Sequence, residues 1–303
     1  MSQTRPFTCY VSDLFRQHDP GPHPERPARI DAVMHAVDAA RAPVEEAGPA
    51  AAEDLERVHP PVFLAGIREL CESGGGAIDL DTVVSERSYD AAVVAAGAAT
   101  TAVDAVLASD LEAAFCLGRP PGHHAEAARA MGFCLVNHAA VAAAHARAAG
   151  VGRVAVLDWD AHHGNGTQDI FWDDPDVLYV SLHQYPFYPG TGGRAERGGS
   201  AARGATVNIP LAAGTSERGF KDAFEYEALP ALRSFDPGLL IVSAGFDAHR
   251  DDPLCNLGLS SAAFGEMTRQ VRGIGAGPVL ILEGGYDLTA LYESVLEVLT
   301  ALA

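Results

Sequence analysis

From residue 113 onward the chain is punctuated by short apolar runs: 113–117 (AAFCL), 154–160 (VAVLDWD), 177–183 (VLYVSLH), 206–211 (TVNIPL), 239–247 (LLIVSAGFD) and 278–286 (PVLILEGGY). Most are continuously apolar rather than alternating, which is how strands covered on both faces read. Helix-length stretches stand beside them at 88–108, 137–149, 217–234 and 260–273. Alternating strands and helices predict an α/β fold, with parallel strands joined by right-handed crossovers. No repeat, low-complexity linker or composition break divides the chain, so the pattern predicts a single domain over 1–303. Three Gly- and Pro-rich pieces, at 18–27, 117–126 and 185–200, are too short for linkers and read as loops of the kind that shape pockets.

Polar residues gather just after the apolar runs. The stretch 157–168, LDWDAHHGNGTQ, places Asp158, Asp160, His162 and His163 behind a buried strand. Read as extended chain, residues two apart point to one side, so Asp160 and His162 reach a common point. Arg119, His123 and His124 follow the run at 113–117, Asp247 ends the run at 239–247, and Tyr286 ends the run at 278–286. Taken singly each has an ordinary explanation: solvent-facing loop histidines, a helix N-cap, a half-buried aromatic. Ligands of open parallel sheets, however, bind beyond the carboxyl ends of the strands. Taken together, two Asp and one His suit a divalent metal with one coordination position left open, as catalytic rather than structural zinc sites have.

Composition narrows the partners. Lys+Arg 21 against Asp+Glu 40 gives a net charge of -19, which repels phosphate backbones and attracts cations, so direct nucleic-acid binding is not expected. Five scattered cysteines without a CxxC pair predict reduced thiols and a cytoplasmic protein. The first ten residues lack the apolar core of a signal peptide, and charges are expected to interrupt the Ala-rich runs below membrane length, so no membrane partner is predicted.

The motifs RPPGHHA (119–125), MGFCLVNHAA (131–140), LDWDAHHGNGTQ, YVSLHQYPFYPGTGG (179–193), SAGFDAHRDDPL (243–254) and EGGYD (283–287), in this order, resemble the histone deacetylase superfamily. Within it the chain is similar to the class II-like bacterial deacetylases and acetylpolyamine amidohydrolases. The resemblance runs from HPERPARI (23–30) to LEGGYDL (282–288). It implies an arginase/deacetylase fold and a Zn²⁺ held by Asp160, His162 and Asp247, a position that also tolerates Fe²⁺ or Co²⁺. It implies proton handling by His123 and His124, oriented by Asp158 and Asn165, and an oxyanion donor in Tyr286. Class I enzymes carry Asp at the Asn165 position, so a neutral amide there predicts two histidines of unequal basicity. A structural K⁺ is implied at main-chain oxygens of Asp158, Asp160 and His162 with Ser181 and Leu182.

The same resemblance assigns Gly132, Phe133 and Tyr188 to an aromatic-walled tunnel, although Tyr188 alone reads equally well as a packing residue. Leu254 stands where a polyamine-selective member carries an acidic gatekeeper, which favours an acylated lysine of a peptide or protein over an acetylated polyamine. Asp81 is the match for a rim aspartate that holds substrate backbone, with Asp79 competing for the place. A ureohydrolase of the arginase type would need further Asp-rich ligand motifs for a second metal, and a silent acyl-lysine reader is disfavoured because Tyr286 and all three ligands are present. Acyl length, physiological substrate and oligomeric state are not specified by the sequence.

Overall fold

The computed structural model describes residues 5–303. Its elements run β1 (Arg5–Val11), α1 (Ala28–Ala40), β2 (Val44–Glu46), α2 (Ala52–Glu56), α3 (Pro61–Glu72), the hairpin β3 (Gly76–Ala77) and β4 (Val83–Val84), then α4 (Ser88–Leu107) and β5 (Leu111–Cys116). After these come α5 (His138–Ala148), β6 (Val154–Asp158), α6 (Asn165–Ile170), β7 (Val177–Gln184), β8 (Thr206–Leu211), α7 (Glu217–Ala223), α8 (Leu229–Phe235), β9 (Leu239–Ala244), α9 (Ser261–Val271), β10 (Ala276–Leu282) and α10 (Leu288–Leu302).

Eight strands form one sheet in the order β2-β1-β5-β10-β9-β6-β7-β8. Every pairing in it is parallel, as the continuously apolar runs predict. Helices surround the sheet: α1 and α9 pack on α10, while α4 and α5 pack on each other and on the central strands. The central four strands, β5, β10, β9 and β6, are neighbours in the sheet although they are far apart in sequence. Their carboxyl ends therefore lie side by side, and the loops leaving them open onto one crevice.

Several expectations are corrected. The apolar runs predict strands to 160, 247 and 286, but β6, β9 and β10 stop at Asp158, Ala244 and Leu282. Asp160, His162, Asp247 and Tyr286 thus project from the bends after the strands, and it is turn geometry rather than strand pleat that brings them together. The helix expected over 217–234 is broken by a π-turn at Phe224–Ala228. Pro230 lies two residues beyond, and the wider turn takes up the ring that would otherwise crowd the carbonyl four residues back. Contrary to the expectation that charges keep every Ala-rich run short, α4 has the length and hydropathy of a membrane span. Most of it is buried against α5, β5 and β10, so its apolarity serves the core.

Candidate metal centre and active site

Asp160 and His162 leave the bend after β6, and Asp247 leaves the loop after the adjacent β9. One ligand atom from each lies within 4.8 Å of the others. His162 Nδ1 is 2.8 Å from Asp247 Oδ2 and 3.2 Å from Asp160 Oδ1. Backbone amides fix both carboxylates: Gly284 N donates to Asp160 Oδ2 at 2.8 Å, and Ala161 N to Asp247 Oδ1 at 2.7 Å. The approach depends on two glycines, because a Cβ on Gly245 would collide with the Asp160 carboxylate, and one on Gly284 with those of Asp247 and Asp160.

The electrostatics of the cluster suit a cation. Asp160 and Asp247 are fully enclosed. Burial, with the Asp160 charge beside it, pushes Asp247 up to about 7. Burial opposes charge on His162 as well, yet Asp247 and Asp160 outweigh it and draw its imidazole up to about 10. Two buried carboxylates and a ring seeking a positive charge form a donor set that a divalent cation fits, with hard oxygens and a borderline nitrogen on one side and space on the other.

Two histidines flank the cluster, with ring centroids 4.1 Å apart. His123 Nδ1 is 3.0 Å from Asp158 Oδ2, an oxygen that also accepts from the Tyr179 hydroxyl at 3.0 Å. His124 Nδ1 is 2.9 Å from Asn165 Oδ1. The Asn165 amide nitrogen donates to Glu126 at 2.9 Å, so its oxygen faces His124. Nδ1 of His124 must then carry the hydrogen, and Nε2 keeps a free lone pair. The two rings are driven apart. Burial disfavours charge on His123, but Asp158 and Asp160 outweigh burial and hold its affinity for a proton well above normal. Burial, followed by the charges of His123 and His162, holds His124 well below the usual imidazole range. The expected inequality is thus present.

The remaining predicted residues meet in a cavity of about 80 Å³, lined by Asp81, His124, Gly132, Phe133, His162, Tyr188, Leu254 and Tyr286. Gly132 has φ +56, and a Cβ there would run into the His124 ring. Phe133 itself sits at φ +70, a costly backbone for an aromatic residue, and meets the Tyr286 ring edge-on at 5.8 Å. Tyr188 stands at the mouth, 36% exposed, and meets His124 edge-on at 5.2 Å, which places it on the cavity wall rather than in the core. Asp79 is occupied in its own turn, where its Oδ1 accepts from the amides of Asp81 and Thr82 at 3.1 and 2.8 Å. Asp81 is the one that faces the cavity.

Sequence reasoning missed the supports. Arg119, singled out above as a strand-end group, is not at the cavity. It forms a buried two-pronged pair with Glu25, each contact 2.6 Å. Arg29 binds Glu25 and also donates to the carbonyls of Gly285 at 2.7 Å and Glu283 at 2.5 Å, with its guanidinium over the Tyr286 ring. The Glu283 carboxylate accepts from the amides of Gly122 and His123 at 2.6 and 3.1 Å and joins the β10 loop to the histidine loop. Asp252 accepts from Tyr286 N at 2.7 Å and from Leu254 N at 2.9 Å. The charged residues of HPERPARI and the Glu of LEGG, each beside apolar neighbours, were the available signals.

Residues 23–302 match the family model described as the histone deacetylase domain. The chain belongs to the histone deacetylase family. It is 43% identical over 313 residues to a histone deacetylase-like amidohydrolase of Pseudomonas aeruginosa, covering 94% of this chain and 82% of that one. It is 44% identical over 297 residues to an uncharacterized protein of Synechocystis sp., covering 95% of this chain and 96% of the other. Among solved structures it is similar to the HDA15 HD domain, with a TM-score of 0.93, 36% sequence identity, and coverage of 97% of this chain and 90% of that one. The fold is therefore the arginase/deacetylase fold, and this member of the histone deacetylase family is a hydrolase acting on amide bonds.

Proposed function

We propose that this protein removes acetyl groups from lysine side chains of polypeptides, with one Zn²⁺ held by Asp160, His162 and Asp247. The observation that carries the reading is the meeting of His162, His124 and Tyr286 on one narrow, largely apolar cavity with Asp81 at its rim. A bound divalent ion would supply Lewis acidity for the acyl carbonyl and for the attacking water. His124 is the ring that reaches the cavity, and its free Nε2 takes a proton from the water and returns one to the amine as the C–N bond breaks. His123, held charged by Asp158 behind it, favours the negative charge that develops at the acyl oxygen. Tyr286 donates its hydroxyl to that oxygen, while Phe133 and Tyr188 enclose the lysine methylenes. A structural K⁺ on main-chain oxygens of Asp158, Asp160 and His162 with Ser181 and Leu182 belongs to the same reading, supported by the register that sets Asp158 beside Ser181.

Leu254 supports lysine over polyamine, because the wall it forms offers no charge to a second ammonium group. A single domain over 1–303 is supported by the one sheet that carries every candidate ligand. A cytoplasmic setting is supported by five free, buried cysteines. The test is turnover of acetyl-lysine peptides against acetylputrescine and acetylspermidine by one zinc-loaded preparation. A higher kcat/KM for the peptides is expected, and a wide preference for the polyamines would reverse the assignment.

A further inference from the structure

A second cavity, of about 500 Å³, opens between α3 and the β3–β4 hairpin, and neither the metal cluster nor the histidine pair uses it. Its helical wall is a stripe at Val62, Gly66 and Leu70, spaced four residues apart, with Phe63 beside it. The opposite face of α3 buries Leu64 and Cys71, so this helix is apolar on two sides and its own chain covers one. The facing wall is Ile78 of the hairpin and Ala130, with Arg129 as the one charged residue of the lining. Val62 is 79% exposed at the groove, Leu80 is 106% exposed at the hairpin tip, and Tyr188 is 36% exposed at the catalytic mouth. These three are most of the large apolar side chains left in solvent among the described residues.

The groove and the catalytic cavity draw on the same two segments opposite α3. The hairpin supplies Ile78 to one and Asp81 to the other, and the segment after residue 127 supplies Ala130 to one and Gly132 and Phe133 to the other. The walls are tied together: Ile78 N donates to Thr82 O at 2.8 Å, and Phe133 N donates to Thr82 Oγ1 at 3.2 Å. Ala130 and Gly132 are two residues apart, so the groove starts within about 7–10 Å of the catalytic mouth, the reach of two or three residues of extended peptide. A small acylated amine that fills the catalytic cavity ends at its mouth and leaves the groove untouched. A polypeptide continues past it.

We infer that this groove is a subsite for an apolar side chain of the substrate polypeptide, two to four residues from the acylated lysine. The inference rests on the acyl-lysine reading above. A peptide whose backbone is held at Asp81 lays its next apolar side chain against Val62, Phe63 and Ile78, while a neutral polar side chain of the same size there loses water to an apolar wall without a partner.

Gly66 permits a clean test, since a Cβ built there meets nothing within 4 Å and the position is mid-helix, where a side chain other than glycine is favoured. Zinc-loaded wild type, Gly66→Ala and Gly66→Phe are compared on a capped acetyl-lysine amide and on acetyl-lysine peptides carrying Leu or its neutral polar isostere Asn at each flanking position. At one position Leu is expected to exceed Asn in kcat/KM by roughly tenfold, the effect of half-burying one such side chain. The phenyl group of Gly66→Phe is expected to abolish that difference, Gly66→Ala to keep it, and all three proteins to turn over the capped amide equally. If thermal melting shows that Gly66→Phe does not fold, Val62→Asp at the exposed edge is expected to abolish the difference in the same way. The inference is overturned if no flanking position prefers Leu, or if the preference survives the filled groove. It is also overturned if light scattering shows a wild-type dimer that Gly66→Phe dissociates, because a second copy then occupies the groove. Failure to turn over the capped amide by enzyme that hydrolyses acetylspermidine overturns the acyl-lysine reading instead.

Discussion

Tyr286 hydrogen-bonds through its backbone to Asp252, stacks under Arg29 and meets Phe133, so its backbone is fixed and its ring is held on two sides where it lines the cavity. Tyr286→Phe keeps the ring and removes only the donor. Loss of one oxyanion donor costs roughly 10²- to 10³-fold, so kcat should fall by that factor while metal content and melting temperature stay at wild-type values. Near wild-type turnover with full metal would show that the ring's packing is all that matters. At Leu254 the expected change is one of preference. Leu254→Glu adds an attractive charge to the cavity wall and should move relative kcat/KM toward acetylspermidine by roughly tenfold, measured against an acetyl-lysine peptide. At this scale the sequence was informative about which polar residues meet: Asp160, His162, Asp247 and Tyr286 are conspicuous because each follows closely on a buried apolar run. Arg29, Glu283 and Asp252 were not legible, because they act through backbone amides and carbonyls that only the folded turns bring within reach.

Among the elements, α5 illustrates how a surface contact sets pH dependence. His145 on α5 bridges Asp54 of α2 at 3.0 Å and Asp104 of α4 at 2.8 Å. Burial resists charge on the ring, but hydrogen bonds to the two carboxylates outweigh it and raise its proton affinity above the ordinary 6.5. A group that binds its proton more tightly when folded stabilises the fold fully below its unfolded value. That contribution is lost as pH rises through the higher folded value. Melting temperatures of wild type and His145→Gln should therefore differ most near about pH 5 and converge by about pH 9, whereas a constant gap would mean that the ring acts by packing alone. The elements legible beforehand were the buried strands, read from continuous apolar runs, and the helix-length stretches between them. Ahead of residue 88 no strand or helix was read. There β1, β2 and the β3–β4 hairpin are short or carry mixed polarity, and α3 has apolar residues on two faces, so neither a period of two nor a period of 3.6 stands out.

For the whole molecule, the net charge of -19 acts at a distance from the site. Basic acetylated peptides should lose kcat/KM as salt rises from about 0.05 to 0.5 M, while a neutral peptide of the same length is unaffected, because screening removes long-range attraction and leaves contacts in place. Metal removal acts on the interior. Without a cation, Asp160 and Asp247 are two enclosed carboxylates whose charge His162 and His123 oppose only in part, so chelation should lower the melting temperature by several degrees, and one equivalent of Zn²⁺ should restore it. Elemental analysis showing two tightly bound transition metals per chain would contradict the single-ion centre.

The place of β10 also bears on how the chain is made. Residues 276–282 leave the ribosome after every other strand of this sheet, yet they form the strand between β5 and β9, in the middle of it. Until they arrive, the nascent chain can pair β2-β1-β5 as one ribbon and β9-β6-β7-β8 as another, each with a bare apolar edge where β10 will sit. A stop codon shortly before Ala276 would therefore remove the seam between two half-sheets rather than a dispensable tail. The product is expected to collect in inclusion bodies, and soluble, folded product would show that the two half-sheets do not need the seam.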